Sequence, residues 1–277
     1  MSNNFTYYSP TKVFFGKNVE AQTGKEIREL GASKVLIVYG GQSAQRSGLL
    51  DVLRRSMEAE SLAYVELGGV VPNPRLDKVY EGIRIGIRDQ IDFLLAVGGG
   101  SVIDTAKAIA YGLAEPERDV WELFEHTRTA KGCLPVASVL TIAASGSETS
   151  KGCVITNERT GSKRAYDDNL ARPKFAMMNP TYTQSLPDYQ TESGCVDIMM
   201  HTMERYFTNG GNMEITDAIA EGLLRTVMKN AGILHIIKIN LLPILYQHLK
   251  RKSVVCGSNP ALEMQRRLNI TFQTPFF

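Results

Sequence analysis

The sequence predicts an α/β protein: a Rossmann-like parallel sheet in the N-terminal part, followed by an incomplete all-helical C-terminal domain. Three observations carry this. Short apolar, β-branched runs alternate with segments of helical periodicity, as parallel βαβ units do. A run of glycines sits where one apolar run ends and a helix begins. After about residue 180 the strand signal stops and only helical periodicity continues. The expected domains are therefore residues 1–180 and 181–277, with 236–277 as an atypical tail.

Taken in order, Val35, Leu36, Ile37 and Val38 form a continuous apolar run ending at Gly40-Gly41, the pattern of a strand buried on both faces. Leu49, Leu50, Leu53 and Met57 recur at helical spacing over 48–59. A second strand fits 62–67, and a helix over 77–88 places Val79, Ile83 and Ile87 on one face. A third strand, 93–97, runs into Gly98-Gly99-Gly100-Ser101, and a helix follows to about Ala114. Residues 134–140 read as another strand. Beyond Pro180, helices are expected over 187–207 and 215–230, the latter with Ile215, Ile219 and Leu223 on one face.

Composition excludes several classes. With 43% hydrophobic and 22% charged residues in 277, a sizeable core is within reach, and a formal charge of +2 gives no global bias. No basic stripe interleaved with aromatics suggests nucleic acid. No apolar run reaches the roughly 20 residues of a membrane helix. Met1-Ser2-Asn3-Asn4 lacks the cationic and apolar regions of a secretory signal. Cys133, Cys153, Cys195 and Cys256 are scattered, with no CxxC pair, and read as free thiols of a cytoplasmic protein. The tail differs from the rest: residues 236–277 hold the single acid Glu263 against six bases.

Three constellations bear on chemistry. The loop Gly98-Gly99-Gly100-Ser101 lets backbone approach a ligand, and the amides and dipole of the following helix suit an anion such as pyrophosphate. Asp104 and Lys107, one and two turns in, are placed to reach a ribose or phosphate. The competing reading is a glycine-rich turn with Ser101 as N-cap. The loop from Thr141 through Ser145-Gly146-Ser147-Glu148 is small and hydroxylic at a strand's carboxyl end, where ligands of open α/β sheets bind; it reads equally as a polar connection. Asp197 and His201 stand four apart on one expected helix face, either as two ligands for one divalent cation or as a helix-surface pair. His126, in an expected loop, reads as a surface histidine.

Together these segments resemble the iron-containing, group III alcohol dehydrogenases, closest to the butanol dehydrogenase and broad-specificity aldehyde reductase branch. Residues 5–16 resemble the family's opening strand hairpin. Gly98 to Lys107 resembles its pyrophosphate signature. Ser145-Gly146-Ser147-Glu148 resembles its threonine-glycine-serine-glutamate loop, and Lys174 to Pro180 the strand leading to its second domain, with Asn179 where aspartate is usual. The Asp197/His201 segment resembles the helix carrying the first two metal ligands. The resemblance covers about 5–235. It implies an NAD(P) cofactor at Gly98, Gly99, Gly100, Ser101, Asp104, Lys107, Thr141, Ser147 and, more distantly, Lys163. It also implies Fe(II) or Zn held by Asp197 and His201, primary alcohols or aldehydes as substrates, and a homodimer. The serine after the glycines and the Ser-Gly-Ser-Glu loop separate the chain from the related glycerol dehydrogenases and dehydroquinate synthases.

Between Gly40, Gly41 and Ser43 no acid is available to bind an adenosine ribose diol, which tilts the expected cofactor toward NADP over NAD. The family's two further metal-binding histidines have no counterpart: His235 and His248 are too close to His201 and differently surrounded. The expectation is a truncated or frameshifted helical domain, with a catalytically inactive, NADP-binding remnant as the alternative to an active enzyme.

Overall fold

A computed structural model describes residues 8–207 and 213–237, with side chains to residue 231. The residues before Tyr8, the basic tail after Ile237, Cys256, His248 and the side chain of His235 lie outside the described residues, as does the frameshift expectation that rests on the tail.

The elements run β1 (Lys12–Phe15), α1 (Thr23–Glu29), β2 (Lys34–Tyr39), α2 (Ser43–Arg46), α3 (Leu49–Ala59), β3 (Ala63–Leu67), α4 (Leu76–Asp89), β4 (Phe93–Gly98), α5 (Gly100–Ala114), α6 (Trp121–Phe124), β5 (Val136–Leu140), β6 (Gly152–Asn157), β7 (Ser162–Asp167), β8 (Phe175–Met178), α7 (Asp188–Tyr206) and α8 (Glu214–Ile237). Thr11–Thr141 with Gly146–Asn179 forms one compact unit. Ile142–Ser145 belongs with the chain from Pro180 onward in another.

In the first unit six strands form one sheet in the order β1-β8-β5-β4-β2-β3, every pair parallel. The apolar runs explain the order. β4, β5 and β8 are buried along their whole length, and β2 is buried except at its ends. The edges β1 and β3 are half-exposed. Phe93 stacks on Phe175 at 6.4 Å between ring centroids, and Phe14 meets Phe175 edge-on at 6.3 Å. Fully burying a side chain of this size stabilises by about 1.5–3 kcal/mol. Helix α5 has ten of its fifteen residues buried.

Among the described residues β1 pairs with β8, in parallel; the start of the expected opening hairpin, residues 5–7, lies outside the described residues. The strand expected over 134–140 begins at Val136, and the last helix runs past Asn230 to Ile237. The antiparallel hairpin β6–β7 was not anticipated, although Cys153, Ile155 and Asn157 alternate buried positions before a turn whose Gly161 has φ +66°.

In the second unit α7 packs on α8 through Cys195, Ala220, Leu223 and Val227, joined by Ile198, Met199 and Tyr206. A Cβ at Gly194 would lie 2.7 Å from the Ala143 carbonyl oxygen, so the residue there is dictated by backbone approach.

Asn179 occupies the position where the resemblance leads one to expect aspartate. It is 2% exposed, and its Nδ2 donates to both carboxylate oxygens of Glu20, also 2% exposed, at 3.1 and 3.0 Å. An amide can donate to a carboxylate; a second carboxylate can do so only if protonated. Asn179→Asp is therefore expected to cost roughly 2–4 kcal/mol near neutral pH. Because the new carboxyl would titrate above its unfolded value of about 4, the deficit should shrink as pH falls toward 4. Urea unfolding of both proteins across pH 4–8 measures this.

Candidate functional site

The sheet order fixes where a ligand can approach. From β2 the chain moves outward to β3, then returns to the other side of β2 for β4, so the winding reverses between β2 and β4. The carboxyl ends of those two strands border the crevice that such a reversal opens. Tyr39 pairs with Val97, which sets Gly40-Gly41 beside Gly98-Gly99. β5 adds its end through Leu140, opposite Gly98, and the Thr141 amide donates to the Gly98 carbonyl at 3.2 Å. The segment after β3 folds back here too: the Gly69 amide bonds the Gly40 carbonyl at 2.9 Å.

Each glycine segment has a distinct role. Gly98 adopts φ +157°, and a Cβ on it would lie 2.7 Å from Val102 Cγ2, so the strand turns into α5 only without a side chain. Gly99, not Ser101, is the N-cap of α5, and no side chain caps it. Gly100 and Ser101 form the first turn, whose amides have no acceptor within the helix. That is an anion site in form. A side chain at Gly41 would meet nothing within 4 Å, and the exposed Ser43 opens α2.

Three residues expected to touch a nucleotide are occupied within the protein instead. Lys107 is 0% exposed. Its ammonium donates to the carbonyls of Ser147, Ser150 and Gly152 at 2.8, 2.9 and 2.8 Å, and to the hydroxyls of Ser147 and Ser150 at 3.1 and 3.3 Å. Three protons shared among five oxygens leave none for a phosphate. The Ser147 hydroxyl donates a hydrogen bond to Asp104 Oδ1 at 2.6 Å, and Asp104 Oδ2 accepts from the Val154 amide at 3.0 Å. In this structure these side chains lock α5 to the loop preceding β6. Burial raises the Asp104 carboxyl and lowers the Lys107 ammonium, and each opposes the other's shift. Burial also raises Glu148, against its own backbone amide and the Lys107 charge. Lys163, exposed on β7, donates to Asn73 Oδ1 at 2.9 Å and favours the charged form of Asp104. Ser150, Gly152 and Val154 were missed in the sequence, because carbonyl and amide partners leave no residue-type signature.

In the other unit α7 does place Asp197 and His201 on one face, with His201 Nε2 3.5 Å from Asp197 Oδ1. Two donor atoms at this separation could both reach a single ion. A carboxylate oxygen and an imidazole nitrogen suit Fe(II) or Zn, so the pair fits as two ligands. Among the described residues no group of three or more His, Cys, Asp or Glu converges to complete a site.

The lock predicts a measurable cost. Lys107→Met preserves bulk but strands three carbonyls and leaves the Asp104 carboxyl without its counter-charge, so unfolding free energy should fall by about 3–5 kcal/mol. Adding Asp104→Asn should recover part of that loss, which a double-mutant cycle by chemical denaturation reads directly.

The sequence model of the family "Iron-containing alcohol dehydrogenase" matches residues 10–180. The probable NADH-dependent butanol dehydrogenase 2 of Bacillus subtilis is 45% identical over 228 residues, covering 82% of this chain and 58% of the relative. The NADPH-dependent aldehyde reductase of Escherichia coli is 36% identical over 230 residues, with the same coverage. The crystal structure of NADH-dependent butanol dehydrogenase A from Thermotoga maritima superposes with a TM-score of 0.86 at 36% identity, covering 95% of this chain and 65% of that one. The chain thus spans less than two thirds of the length of these relatives. With the family model matching more than half of its residues, and with its fold shared with these solved structures, the chain belongs to the iron-containing alcohol dehydrogenase family.

Proposed function

We propose that this chain is a metal-dependent, NAD(P)-linked alcohol dehydrogenase or aldehyde reductase acting on primary alcohols and aldehydes. The observation that carries the reading is the uncapped N-terminus of α5 at the winding reversal of a parallel sheet, with the adjoining loop fixed by Lys107. There the amides of Gly99, Gly100 and Ser101 would hold the cofactor's pyrophosphate, and Thr141 and the Gly40-Gly41 turn would border the nucleotide. Asp104, Lys107 and Ser147 would keep the cradle in shape without touching it. Asp197 and His201 would supply two metal ligands. A metal so held would supply Lewis acidity at a substrate oxygen, and the nicotinamide would supply hydride chemistry.

The turn after β2 favours NADP: it has no acid to repel a 2′-phosphate, and the Ser43 hydroxyl is exposed. The relatives divide on this point, the Bacillus protein named for NADH and the Escherichia protein for NADPH. We place the protein in the cytoplasm as a homodimer. In support, no described helix is long and apolar enough to cross a membrane, and Cys133, Cys153 and Cys195 are free thiols. Burial pushes the Cys133 thiol up to about 12.

The alternative is nucleotide binding without turnover; the relatives, named for NADH- and NADPH-dependent enzymes, do not favour it. Butyraldehyde-dependent oxidation of NADPH with added Fe(II) or Zn(II), beside calorimetric titration of NADPH, separates the two. Turnover supports the dehydrogenase, and binding without turnover the inactive form. Absence of binding by both NADPH and NADH removes both.

Gly41→Asp introduces the missing acid into open space. NADPH affinity is expected to fall about 10- to 100-fold, or roughly 1.4–2.8 kcal/mol, while NADH affinity holds. Parallel titrations of the two nucleotides check it.

A further inference from the structure

The face of α7 that carries Asp197 and His201 continues, three residues on, to Glu204. Its carboxylate Oε2 lies 3.7 Å from His201 Nδ1, on the opposite side of the ring from Asp197, which faces Nε2 at 3.5 Å. The imidazole thus stands between two carboxylates, one at each nitrogen. The three residues, spaced four and three apart, form a single stripe along the helix.

The two carboxylates are not equivalent in use. A metal ion taken by Asp197 and by Nε2 needs that nitrogen's lone pair, so the ring proton must sit on Nδ1. A proton there needs an acceptor, and the only carboxylate facing Nδ1 in the described structure is Glu204. A small side-chain rotation closes 3.7 Å to hydrogen-bond length. Glu204 is 44% exposed at its side chain, so such a rotation is unobstructed by burial.

We propose that Glu204 is a positioning residue for the metal site: it accepts the Nδ1 proton of His201, fixes the Nδ1–H tautomer and ring orientation, and so presents Nε2 to the ion beside Asp197. The inference rests on the reading of Asp197 and His201 as metal ligands and adds an outer partner to that pair. Partners of this kind typically set metal affinity by 10- to 100-fold without touching the metal.

The test uses Zn(II), which is diamagnetic, with the full chain labelled with 15N. Zn(II) affinity is measured by competition with a chromophoric chelator. The ring nitrogens of His201 are followed by long-range 1H–15N correlation, assigned with His201→Gln. Expected for the wild type are an Nδ1–H tautomer in the zinc form and a Zn(II) affinity that His201→Gln abolishes. Glu204→Ala should bind Zn(II) 10- to 100-fold more weakly, and its Nδ1 proton should exchange faster with water. Glu204→Gln, which keeps an acceptor oxygen at the same reach, should recover part of both effects. Thermal unfolding of the metal-free variants should match the wild type, which separates positioning from a fold defect. The proposal is overturned if Glu204→Ala keeps wild-type affinity and proton exchange, or if Gln fares no better than Ala and the loss vanishes in high salt, as a mere charge effect would. If the wild type itself binds no Zn(II), or binds it unaffected by His201→Gln, the ligand reading fails and this inference with it. If His201→Gln alone weakens binding, the ligand reading stands and only the role of Glu204 is lost.

Discussion

One buried ammonium organises the sheet-containing unit. Lys107 lies wholly inside the protein, and its protons are shared among five oxygens of the segment 147–152. Burying such a charge costs several kcal/mol unless it is fully satisfied. The cost is met only when the loop carbonyls turn inward and the Ser147 hydroxyl bridges to Asp104. The charge therefore specifies one loop conformation. That conformation in turn starts β6 at Gly152 and, through Val154, holds the hairpin edge against α5.

The consequence is a division of labour along α5. Its N-terminal turn stays open, with no capping side chain, while its second and third turns are spent on internal bonds. An anion cradle built of backbone amides is useful only if the helix is held against the sheet, because the amides have no side-chain freedom to adapt. Rigidity below the cradle and openness at its mouth are two requirements on one helix, and the Gly98–Lys107 segment meets both. The helix α7 follows a similar economy: one face packs on α8 through Cys195, and another carries Asp197, His201 and Glu204.

Much of this was legible in the sequence. The buried strands declared themselves through unbroken apolar runs, since a strand covered on both faces can tolerate no polar alternation. The glycines of residues 98–100 announced a close backbone approach, and the four-residue spacing of Asp197 and His201 announced a shared face. The hairpin β6–β7 was readable but overlooked, because its alternation is short and charged on the exposed side, as in Lys163 and Arg164. Asn179 was noticed only as a departure; the reason for it, the Glu20 carboxylate 159 residues away, has no trace in local pattern.

The sequence by itself determined the fold class, the strand-to-helix glycine turn and the shared helix face of Asp197 and His201, because these follow from periodicity and residue type within short stretches. Only the tertiary structure decided the strand order that brings Gly40 beside Gly98, and the fate of Asp104, Lys107 and Ser147. A lysine two turns into a helix looks equally able to reach outward or inward. The choice belongs to distant carbonyls, whose positions are set by packing and not by any nearby residue.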